Sequence, residues 1–393
     1  MTLKKMITNL MPPQLISLYH WTLAKLAALY YGFPSEKMIV IGVTGTSGKS
    51  TTCEIIWRLL QSTGQPAGLA SGIHFFDGKV DEQNNTKMTM VGRFRLQHLL
   101  RQMVDNNCSY AVIEVTSLGI SQYRHLGIHF DIVLITNFWS EHDDAHGGFE
   151  NYRLAKANLV KSMMKHPVKK IAGAPTQRIA ITNADDQYHD FFERLPADSH
   201  PAYSLKHGGE NILWAENIQS NINGSDFSIS DIPFHINLPG EHNIYNALAA
   251  LTIARALGFN LQDCAKNLPS VRGIPGRLEF IDEGQNFSVI VDYAFEPKAM
   301  RKLYDVITAL PHNKIIHVLG TTGGGRDAKR GAILGSMAGQ FADYVVATDE
   351  DPYDDNPLDL IQRVVRGATS VGKKLDDNLF IEVDRREGIA KAM

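Results

Sequence analysis

Apolar and polar positions follow two different periods along much of the chain. Between positions 38 and 263, short runs rich in β-branched residues alternate with longer stretches in which apolar residues recur every three or four positions. The first pattern predicts buried strands and the second predicts amphipathic helices. Their alternation indicates an α/β fold with a mostly parallel sheet covered by helices. The predicted strands include 39–41, 110–115, 132–136 and 179–183, and the predicted helices include 94–106 and 151–164.

The pattern changes after this region. Residues 204–236 form short, polar, alternating segments that predict small antiparallel strands. A helix is predicted over 244–257, with Gly258 as its C-terminal cap. His242 and Asn243 are placed to cap the N-terminus of this helix.

A second α/β unit, Rossmann-like, follows the predicted linker at 272–276. Its predicted strands are 288–291, 314–319 and 344–347, and its last predicted helix is 386–393. We therefore expect three parts in the chain: a helical extension at 1–37, a central domain at 38–275 and a C-terminal domain at 276–393.

The N-terminal extension is apolar and aromatic over 15–31, but His20 and Lys25 interrupt the run. It is too short and too mixed for a membrane span, and it lacks the small-residue cleavage site of a signal peptide. We expect a helix that packs on the protein. Attachment of this helix to a membrane surface is the alternative that the sequence favours less.

The composition is that of a globular protein, with 44% hydrophobic residues. The 39 basic and 42 acidic residues give a formal net charge of -3, so nothing in the charge balance favours nucleic acid as the main partner. Cys53, Cys108 and Cys264 lie too far apart for a disulfide framework or a zinc pattern. They suit a reducing cytoplasm, which is the location we expect.

The stretch 38–52, MIVIGVTGTSGKSTT, combines a buried strand, a turn of small residues and the start of a helix. This order is typical of a phosphate-binding loop, where backbone N–H groups and a helix N-terminus surround a phosphate. Lys49 would reach the β- and γ-phosphates of ATP, and Ser50 would hold Mg²⁺. The spacing departs from the common G-x-x-x-x-G-K form, and an ordinary glycine-rich turn is the alternative. The predicted nucleotide-binding residues here are Gly45, Thr46, Ser47, Gly48, Lys49, Ser50 and Thr51.

Glu114 ends the strand predicted at 110–115, at the edge of an α/β sheet where ligands bind. A carboxylate there can hold Mg²⁺ beside the phosphates. The alternative is a glutamate at a strand end that faces water.

Several motifs in order along the chain resemble the Mur ligase family. They are TGTSGKSTT at 44–52, the Thr136-Asn137 and His142 to His146-Gly147 series, and GEHNIYNA at 240–247. This family joins an amino acid or amine to a carboxylate at the expense of ATP, through an acyl phosphate. The resemblance is strongest to the tripeptide-synthetase branch, which adds an amino acid to UDP-MurNAc-L-Ala-D-Glu in peptidoglycan precursor synthesis. It implies a cytoplasmic enzyme with ATP and Mg²⁺, acting on a nucleotide-sugar peptide and an amino acid.

The resemblance also assigns the residues of the nucleotide and metal site. It implies metal ligation by Ser50, Glu114, His142 and Lys156, the lysine having reacted with CO₂ to form a carbamate. With Lys49, the last three are the predicted catalytic residues. Asn137, Asn246, Arg277 and Asp292 would contact the nucleotide. Without the resemblance, His142 could belong to an acidic surface loop, Lys156 could be an exposed helix lysine, and Asp292 could form a turn.

The resemblance places the two substrates as well. Thr116, Ser117 and Arg124 would meet the peptide-bearing acceptor, because a planar guanidinium can bind both oxygens of a carboxylate. Arg326 would lie at the incoming amino acid, together with Asp351 and Tyr353. Diaminopimelate-adding enzymes carry an arginine where Tyr353 stands, so we expect a weak preference for diaminopimelate. The acidic surroundings favour a cationic amine such as lysine, and a solvated acidic loop is the alternative.

The sequence departs from the family pattern at several points. About 40 residues precede the glycine loop, too few for the N-terminal domain that grips the UDP group. Leu118 and Phe295 replace histidines of the family. Family members usually continue beyond Met393, and the resemblance therefore leads us to expect an incomplete last domain or a fragment.

Two alternatives therefore stay open at this stage. One is a ligase with a different acceptor, such as a folylpolyglutamate-synthase-like enzyme. The other is a degenerate, non-catalytic nucleotide-binding protein. Five matching residues argue against the second alternative: Lys49, Glu114, His142, Lys156 and Asn246.

Overall fold

The computed structural model describes residues 12–86, 88–139, 148–221, 223–324 and 328–393. It divides into two compact units, Met1–Pro275 and Gly276–Met393. The fold class predicted from the sequence is confirmed: the first unit contains a large, mostly parallel sheet, and the second is a smaller α/β unit.

The main sheet of the first unit has nine strands in the order β11-β10-β9-β6-β1-β5-β2-β3-β4. Strands β1, β2, β5, β6, β9, β10 and β11 pair in parallel, and β3 and β4 form an antiparallel edge. The strands are β1 (Ile39–Thr44), β2 (Ala67–Ala70), β3 (His74–Phe76), β4 (Asp81–Gln83), β5 (Tyr110–Glu114), β6 (Ile132–Ile135), β7 (Lys170–Ile171), β8 (Ala174–Pro175), β9 (Ile179–Asn183), β10 (Ala202–Ser204) and β11 (Ile212–Trp214). Strands β7 and β8 form a separate pair.

Helices and a small antiparallel sheet surround this sheet. The sheet comprises β12 (Glu216–Asn221), β13 (Gly224–Ile229) and β14 (Ile232–Ile236), as the alternation in this region predicts. The helices are α1 (Pro13–Tyr30), α2 (Lys49–Ser62), α3 (Arg93–Asp105), α4 (Ser117–Ser121), α5 (Phe149–Met163), α6 (His189–Glu193), α7 (Glu241–Ala256) and α8 (Leu261–Asn267). Short 3-10 turns lie at Pro34–Lys37 and Leu268–Ser270.

Two apolar clusters hold the first unit together, and β1 contributes to both. Ile41 and Val43 belong to the cluster that includes α2 and α7, and Val40 belongs to the cluster that includes α3 and α5. Successive side chains of a strand point to opposite faces of the sheet, so the continuous apolar run of β1 fits a strand covered on both sides. Strand β1 is therefore buried on both faces of the sheet.

The N-terminal helix predicted from the sequence is present as α1. It begins with Pro13 in its first turn and ends before Gly32, which has a φ of +68°. Its small residues Ala24, Ala27 and Ala28 are buried. Within the described ranges, no helix has the length and apolar character needed to cross a membrane.

Helix α7 begins three residues earlier than the sequence pattern predicts. Gly240, with a φ of +97°, is the N-cap residue, and no side chain caps the helix. The predicted capping role of His242 and Asn243 is therefore wrong, because both lie inside the first turn. Asn243 Nδ2 instead donates to the carbonyl of Pro239, at 2.8 Å.

The second unit contains a three-stranded parallel sheet in the order β17-β18-β19 and a separate antiparallel pair, β15-β16. The strand predicted at 288–291 exists, but it belongs to the pair and not to the parallel sheet. Strand β19 escaped prediction because its short apolar run follows a charged turn. The elements are β15 (Glu279–Ile281), β16 (Val289–Val291), α9 (Pro297–Ala309), β17 (Ile316–Leu319), α10 (Ala328–Phe341), β18 (Tyr344–Thr348), α11 (Pro357–Ser370), β19 (Leu379–Glu382) and α12 (Arg385–Ala392).

Candidate active site

A glycine loop connects β1 to α2 and forms the centre of the candidate site. Helix α2 starts at Lys49, and its N-cap residue is Gly48, which has no side chain to cap the helix. The first N–H groups of a helix lack partners within the helix and carry positive partial charge. The N-terminus of α2 is thus suited to bind a phosphate.

Two glycines of this loop leave no room for a side chain. Gly45 has a φ of +151°, and a Cβ built on it would overlap Thr136 Oγ1. Gly48 has a φ of +78°, and its Cβ would lie 2.5 Å from Asn246 Oδ1. Both the backbone conformation and the close packing therefore require glycine at these positions.

The end of β6 holds the other side of the loop. Asn137 Oδ1 accepts from the N–H of Ser47 at 2.9 Å, and Asn137 Nδ2 donates to the Ser47 carbonyl at 3.0 Å. Thr136 Oγ1 donates to the same carbonyl at 2.7 Å, and the Thr46 N–H donates to the Asn137 carbonyl at 3.0 Å. These bonds fix the backbone that would face a phosphate.

Ser50 and Glu114 form a pair of oxygen ligands beside the loop. Ser50 Oγ donates to Glu114 Oε1 at 3.1 Å. The N–H of Gly72, which follows β2, donates to Glu114 Oε2 at 2.8 Å. Glu114 is only 2% exposed, so the alternative of a glutamate that faces water is wrong. Carboxylate and hydroxyl oxygens suit Mg²⁺, and this pair fits that ion.

Two lysines also converge on the loop. Lys49 Nζ donates to the Thr46 carbonyl at 3.0 Å. Lys156, on α5, donates to the Gly45 carbonyl at 2.8 Å and lies 4.7 Å from the centre of the Tyr152 ring. Lys156 is 1% exposed, so the alternative of an exposed helix lysine is wrong.

A buried acid–histidine contact behind the loop escaped sequence prediction. Glu54, on α2, is completely buried, and its Oε1 lies 2.7 Å from His74 Nε2; His74 Nδ1 lies 2.5 Å from Asp81 Oδ1. Burial lowers the pKa of His74, but the contacts with the two carboxylates outweigh it and raise the pKa above its usual value. The sequence signal that could have predicted this contact is Glu54 itself, a glutamate within the apolar pattern of 54–60, because a buried charge needs a partner.

Glu54 also lies near the thiol of Cys53, which is buried on α2. Burial raises the pKa of Cys53 well above its usual value, and the nearby Glu114 and Glu54 raise it further, against the smaller effect of Lys49. The thiol therefore stays protonated and acts as a small apolar side chain under the loop.

Asn246, on α7, lies under the first turn of α2. Its Oδ1 accepts from Thr52 Oγ1 at 3.1 Å, and its Nδ2 donates to Asn243 Oδ1 at 3.1 Å. In this structure the amide supports the loop from below. Contact between Asn246 and adenine stays a prediction.

The residues predicted to meet the acceptor lie between positions 116 and 124, in the segment after Glu114. Thr116 Oγ1 caps α4 by accepting from the Gly119 N–H at 3.0 Å, and Ser117 is buried. Arg124 donates to the carbonyl of Met90 and, at 2.7 Å, to Gln122 Oε1. Leu118 is 49% exposed beside them. The structure thus places Thr116 and Ser117 shortly after Glu114 in the chain, and Arg124 follows in the same segment.

In the second unit, Arg277 and Asp292 lie close together around the β15-β16 pair. Asp292 Oδ2 accepts from the N–H of Leu278 at 2.7 Å, and Arg277 stacks over the Tyr293 ring at 4.8 Å. Burial raises the pKa of Asp292, although the N–H groups of Leu278 and Ala294 and the Arg277 charge oppose it. Asp292 therefore holds the backbone of Leu278 in place, and its contact with nucleotide stays a prediction.

Two loops at the ends of β17 and β18 contact each other in the second unit. The N–H of Gly323 donates to the Asp351 carbonyl at 2.9 Å, and the N–H of Gly324 donates to Asp355 Oδ2 at 2.9 Å. Tyr353, with a φ of +53°, is 48% exposed. Arg326 lies outside the described residues, as does His142.

Comparison with protein families accounts for both units. Residues 43–254 match the profile of the Mur ligase middle domain, and residues 276–393 match that of the Mur ligase, glutamate ligase domain. The chain belongs to the Mur ligase family. Membership confirms the predicted family and the predicted enzyme class, an ATP-dependent ligase of peptidoglycan precursor synthesis.

Named relatives of this Mur ligase family member cover most of the chain. It is 36% identical over 379 residues to the UDP-N-acetylmuramyl-tripeptide synthetase of Roseiflexus sp., an alignment that covers 94% of this chain and 74% of the relative. It is 30% identical over 369 residues to the UDP-N-acetylmuramoyl-L-alanyl-D-glutamate--2,6-diaminopimelate ligase of Geobacillus kaustophilus, covering 92% and 73%. Both differ from this chain at most positions, so they do not settle its substrates.

Solved structures show the same Mur ligase fold. A UDP-N-acetylmuramoyl-L-alanyl-D-glutamate--2,6-diaminopimelate ligase superposes with a TM-score of 0.60 at 25% identity, over 90% of this chain and 69% of the other. A folylpolyglutamate synthase of Mycobacterium tuberculosis superposes with a TM-score of 0.69 at 16% identity, over 95% and 87%. The second likeness concerns the fold alone.

Proposed function

We propose that this chain adds an amino acid to UDP-MurNAc-L-Ala-D-Glu, with ATP as the source of energy. The observation that carries this proposal is the convergence of Lys49, Ser50, Glu114 and Lys156 on one glycine loop. The names of the tripeptide-synthetase relatives support the choice of acceptor. The ranges 38–275 and 276–393 are proposed as the central and C-terminal domains.

The reaction would proceed in two balanced steps. An oxygen of the acceptor carboxylate attacks the γ-phosphorus of ATP, the bond to the β-phosphate oxygen breaks, and ADP leaves. The amine nitrogen, in its neutral form, then attacks the acyl carbon, and the tetrahedral intermediate expels phosphate and releases one proton from nitrogen to leave the amide. The released phosphate therefore carries one oxygen from the acceptor carboxylate.

This chain's own residues would supply binding and charge stabilisation. Backbone N–H groups at the start of α2 and the ammonium of Lys49 would bind the phosphates and neutralise charge that develops on the transferred group. Asn137 keeps the backbone of Ser47 in place for this role. Roles for Thr46, Thr51, Asn246, Arg277 and Asp292 at the nucleotide belong to the same proposal.

Ser50 and Glu114 would hold Mg²⁺ through their oxygens, which already lie 3.1 Å apart. The ion supplies electrostatic stabilisation of phosphate oxygens when it is bound. His142 is proposed as a further ligand. Lys156 would join only after its amine has reacted with CO₂, because the resulting carbamate presents anionic oxygens in place of a cation.

The incoming amine is proposed to be cationic, with lysine ahead of diaminopimelate. Tyr353 carries no charge that could pair with the second carboxylate of diaminopimelate. Carboxylates surround it on the same loop, and Thr322 Oγ1 donates to one of them, Glu350, at 3.3 Å. Together with Arg326, Asp351 and Tyr353 are the residues proposed to select the amine.

The test is phosphate release by the purified full chain with ATP, Mg²⁺ and UDP-MurNAc-L-Ala-D-Glu. Lysine, diaminopimelate, ornithine and alanine would be supplied one at a time. We expect release that needs both the acceptor and an amine, fastest with lysine. The Lys49→Ala variant should lose roughly a hundredfold or more in rate, and Lys266→Ala should not, because the Lys266 side chain is 75% exposed and pairs with Asp263 on α8, a helix that contributes no residue to the site.

Two results would contradict the proposal. Release that ignores the acceptor would mean simple ATP hydrolysis. No release with any amine, despite ATP binding, would point to another acceptor, such as a folate, or to a non-catalytic protein.

A further inference from the structure

Helix α1 presents its larger apolar side chains away from the protein. The side that packs on the domain carries small residues, and a Cβ on Gly127 would lie 2.6 Å from the Cβ of Ala28. The opposite side carries residues that are 49% to 76% exposed: Leu15, Leu18, Tyr19, Leu26, Leu29 and Tyr30. A surface helix of a globular protein normally has the reverse arrangement.

These exposed residues form one continuous stripe. Positions 15, 18, 19, 22, 26, 29 and 30 are three or four apart, so they share one face of the helix. Thr22 is the polar member, and its hydroxyl donates to the Leu18 carbonyl at 2.8 Å. We call this face the apolar stripe. Exposed apolar surfaces of this extent mark interaction sites more often than free surface.

An open groove runs along one edge of the stripe. Its volume is about 490 Å³, and it is lined by Gln14, Ser17, Leu18, Trp21 and Tyr123. Ser17 Oγ donates to Tyr123 Oη at 3.1 Å at the base of the groove. Trp21, on this edge, is 45% exposed. Tryptophan and tyrosine rings of this kind are enriched where a protein meets lipid headgroups.

Charge distinguishes among the possible occupants of the stripe. From Met1 to Ser35 the sequence contains Lys4, Lys5 and Lys25 and no acidic residue; Glu36 is the first. An anionic lipid surface attracts such a segment, and its headgroup region accommodates the apolar side chains next to the lysines. A second copy of the chain would bring the same positive charge to the contact and be repelled.

We propose that the apolar stripe of α1 docks on the surface of an anionic lipid bilayer. The helix would lie in the plane of the headgroups, with the leucines below it and Trp21 and Lys25 at the edge of the stripe. The small residues Ala24, Ala27 and Ala28 would stay packed on the first unit, so docking needs no unfolding.

The experiment is co-sedimentation of the full chain with vesicles of phosphatidylcholine, with and without phosphatidylglycerol. We expect binding to the anionic vesicles that weakens as salt is added, because salt screens the lysine charges. Quenching of tryptophan fluorescence by brominated lipid should accompany binding, and it should fall in Trp21→Phe.

Variants distinguish binding through the apolar stripe from non-specific binding of the protein to vesicles. Leu18→Asp with Leu29→Asp should weaken vesicle binding by roughly tenfold or more, because two charges would enter the interface. Lys25→Gln should weaken it by about fivefold. Leu358→Asp and Leu375→Asp are matched controls in the second unit, 48% and 50% exposed, and should bind as the unchanged protein does. Thermal unfolding of each variant would verify folding.

Two outcomes would overturn this proposal. One is equal sedimentation with and without vesicles at low salt. The other is a lipid-free dimer that Leu18→Asp with Leu29→Asp converts to monomer, which would make the stripe a contact between copies. Neither outcome bears on phosphate release, so failure of the docking proposal is distinguishable from failure of the proposed reaction.

Discussion

Site residues could be predicted from the sequence when they belong to a local motif. Contacts between residues that lie far apart in the chain could not be predicted. Lys49 and Ser50 follow from the glycine loop between a strand and a helix, and Glu114 follows from its place at a strand end. Glu54 and His74 lie on different elements, and only the fold brings them to 2.7 Å. The sequence therefore predicts the residues of a motif, but the contacts between separate elements depend on the fold.

Replacing Glu114 by glutamine tests the proposed binding of Mg²⁺ by Ser50 and Glu114. The amide oxygen can still accept from Gly72, but the negative charge beside Ser50 is lost. We expect phosphate release to fall by roughly a hundredfold or more and the Mg²⁺ concentration needed for half-maximal rate to rise. A Mg²⁺ titration of both proteins measures this. An unchanged Mg²⁺ requirement would remove Glu114 from the metal site.

Lys156→Ala tests the proposed carbamate. We expect activity to be lost and then partly restored by added acetate or formate, since a small carboxylate can replace the anionic oxygens of the carbamate. With carbon-13-labelled bicarbonate, the unchanged protein should show a carbamate resonance that the variant lacks. Activity lost without rescue, together with no such resonance, would leave Lys156 as an ammonium bound to the Gly45 carbonyl.

At the scale of elements, the period of the apolar residues placed four of the nine strands of the main sheet, β1, β5, β6 and β9, and the long helices α3, α5 and α7. The apolar pattern did not predict where a helix begins when the backbone conformation of a glycine sets its first residue. Gly240, which has a positive φ, is the N-cap residue of α7. The helix therefore begins at Glu241, and His242 and Asn243 lie inside its first turn. Strand β16 was predicted, but its antiparallel partner could not be inferred, because short strands carry no signal for pairing.

Gly45→Ala tests whether the packing of β1 against β6 sets the shape of the loop. A Cβ there would overlap Thr136 Oγ1 at a φ of +151°. We expect the free energy of unfolding to fall by about 2–5 kcal/mol and ATP binding to weaken. Gly64→Ala is the matched control: its φ is +78° with nothing within 4 Å of a Cβ, so about 1–2 kcal/mol is expected. Equal losses would refute a packing role for Gly45.

At the scale of the whole molecule, the burial of several histidines should make the stability of the fold depend on pH. Burial lowers the pKa of His125, His129, His166 and His317 to about 4, with smaller effects from neighbouring charges at the first three. The contacts of His74 raise its pKa instead. Composition alone could not predict either direction, because each depends on which histidines the fold buries and beside which groups.

Stability should therefore have a maximum near the usual histidine pKa of 6.5. Below it the unfolded chain binds more protons than the folded one, so stability should fall progressively towards about pH 4. Above it the folded protein loses the proton on His74 and the stabilisation that goes with it. Thermal unfolding across this range measures both sides.

Two variants assign the two sides of this pH profile. His129→Phe should flatten the acid side while keeping a ring stacked on His166, whose centroid lies 3.6 Å away. His74→Gln should flatten the alkaline side. An acid side unchanged by His129→Phe would mean that other groups control unfolding at low pH.

The most direct test of the proposed reaction follows one atom. UDP-MurNAc-L-Ala-D-Glu labelled with heavy oxygen in its glutamate carboxylate would be incubated with the full chain, ATP, Mg²⁺ and lysine, and the phosphate examined by mass spectrometry. Transfer of the γ-phosphoryl group to the carboxylate predicts phosphate with one labelled oxygen and a matching amount of amide. Unlabelled phosphate would show that water attacks ATP and would contradict the assignment of this chain as an amide ligase for that acceptor.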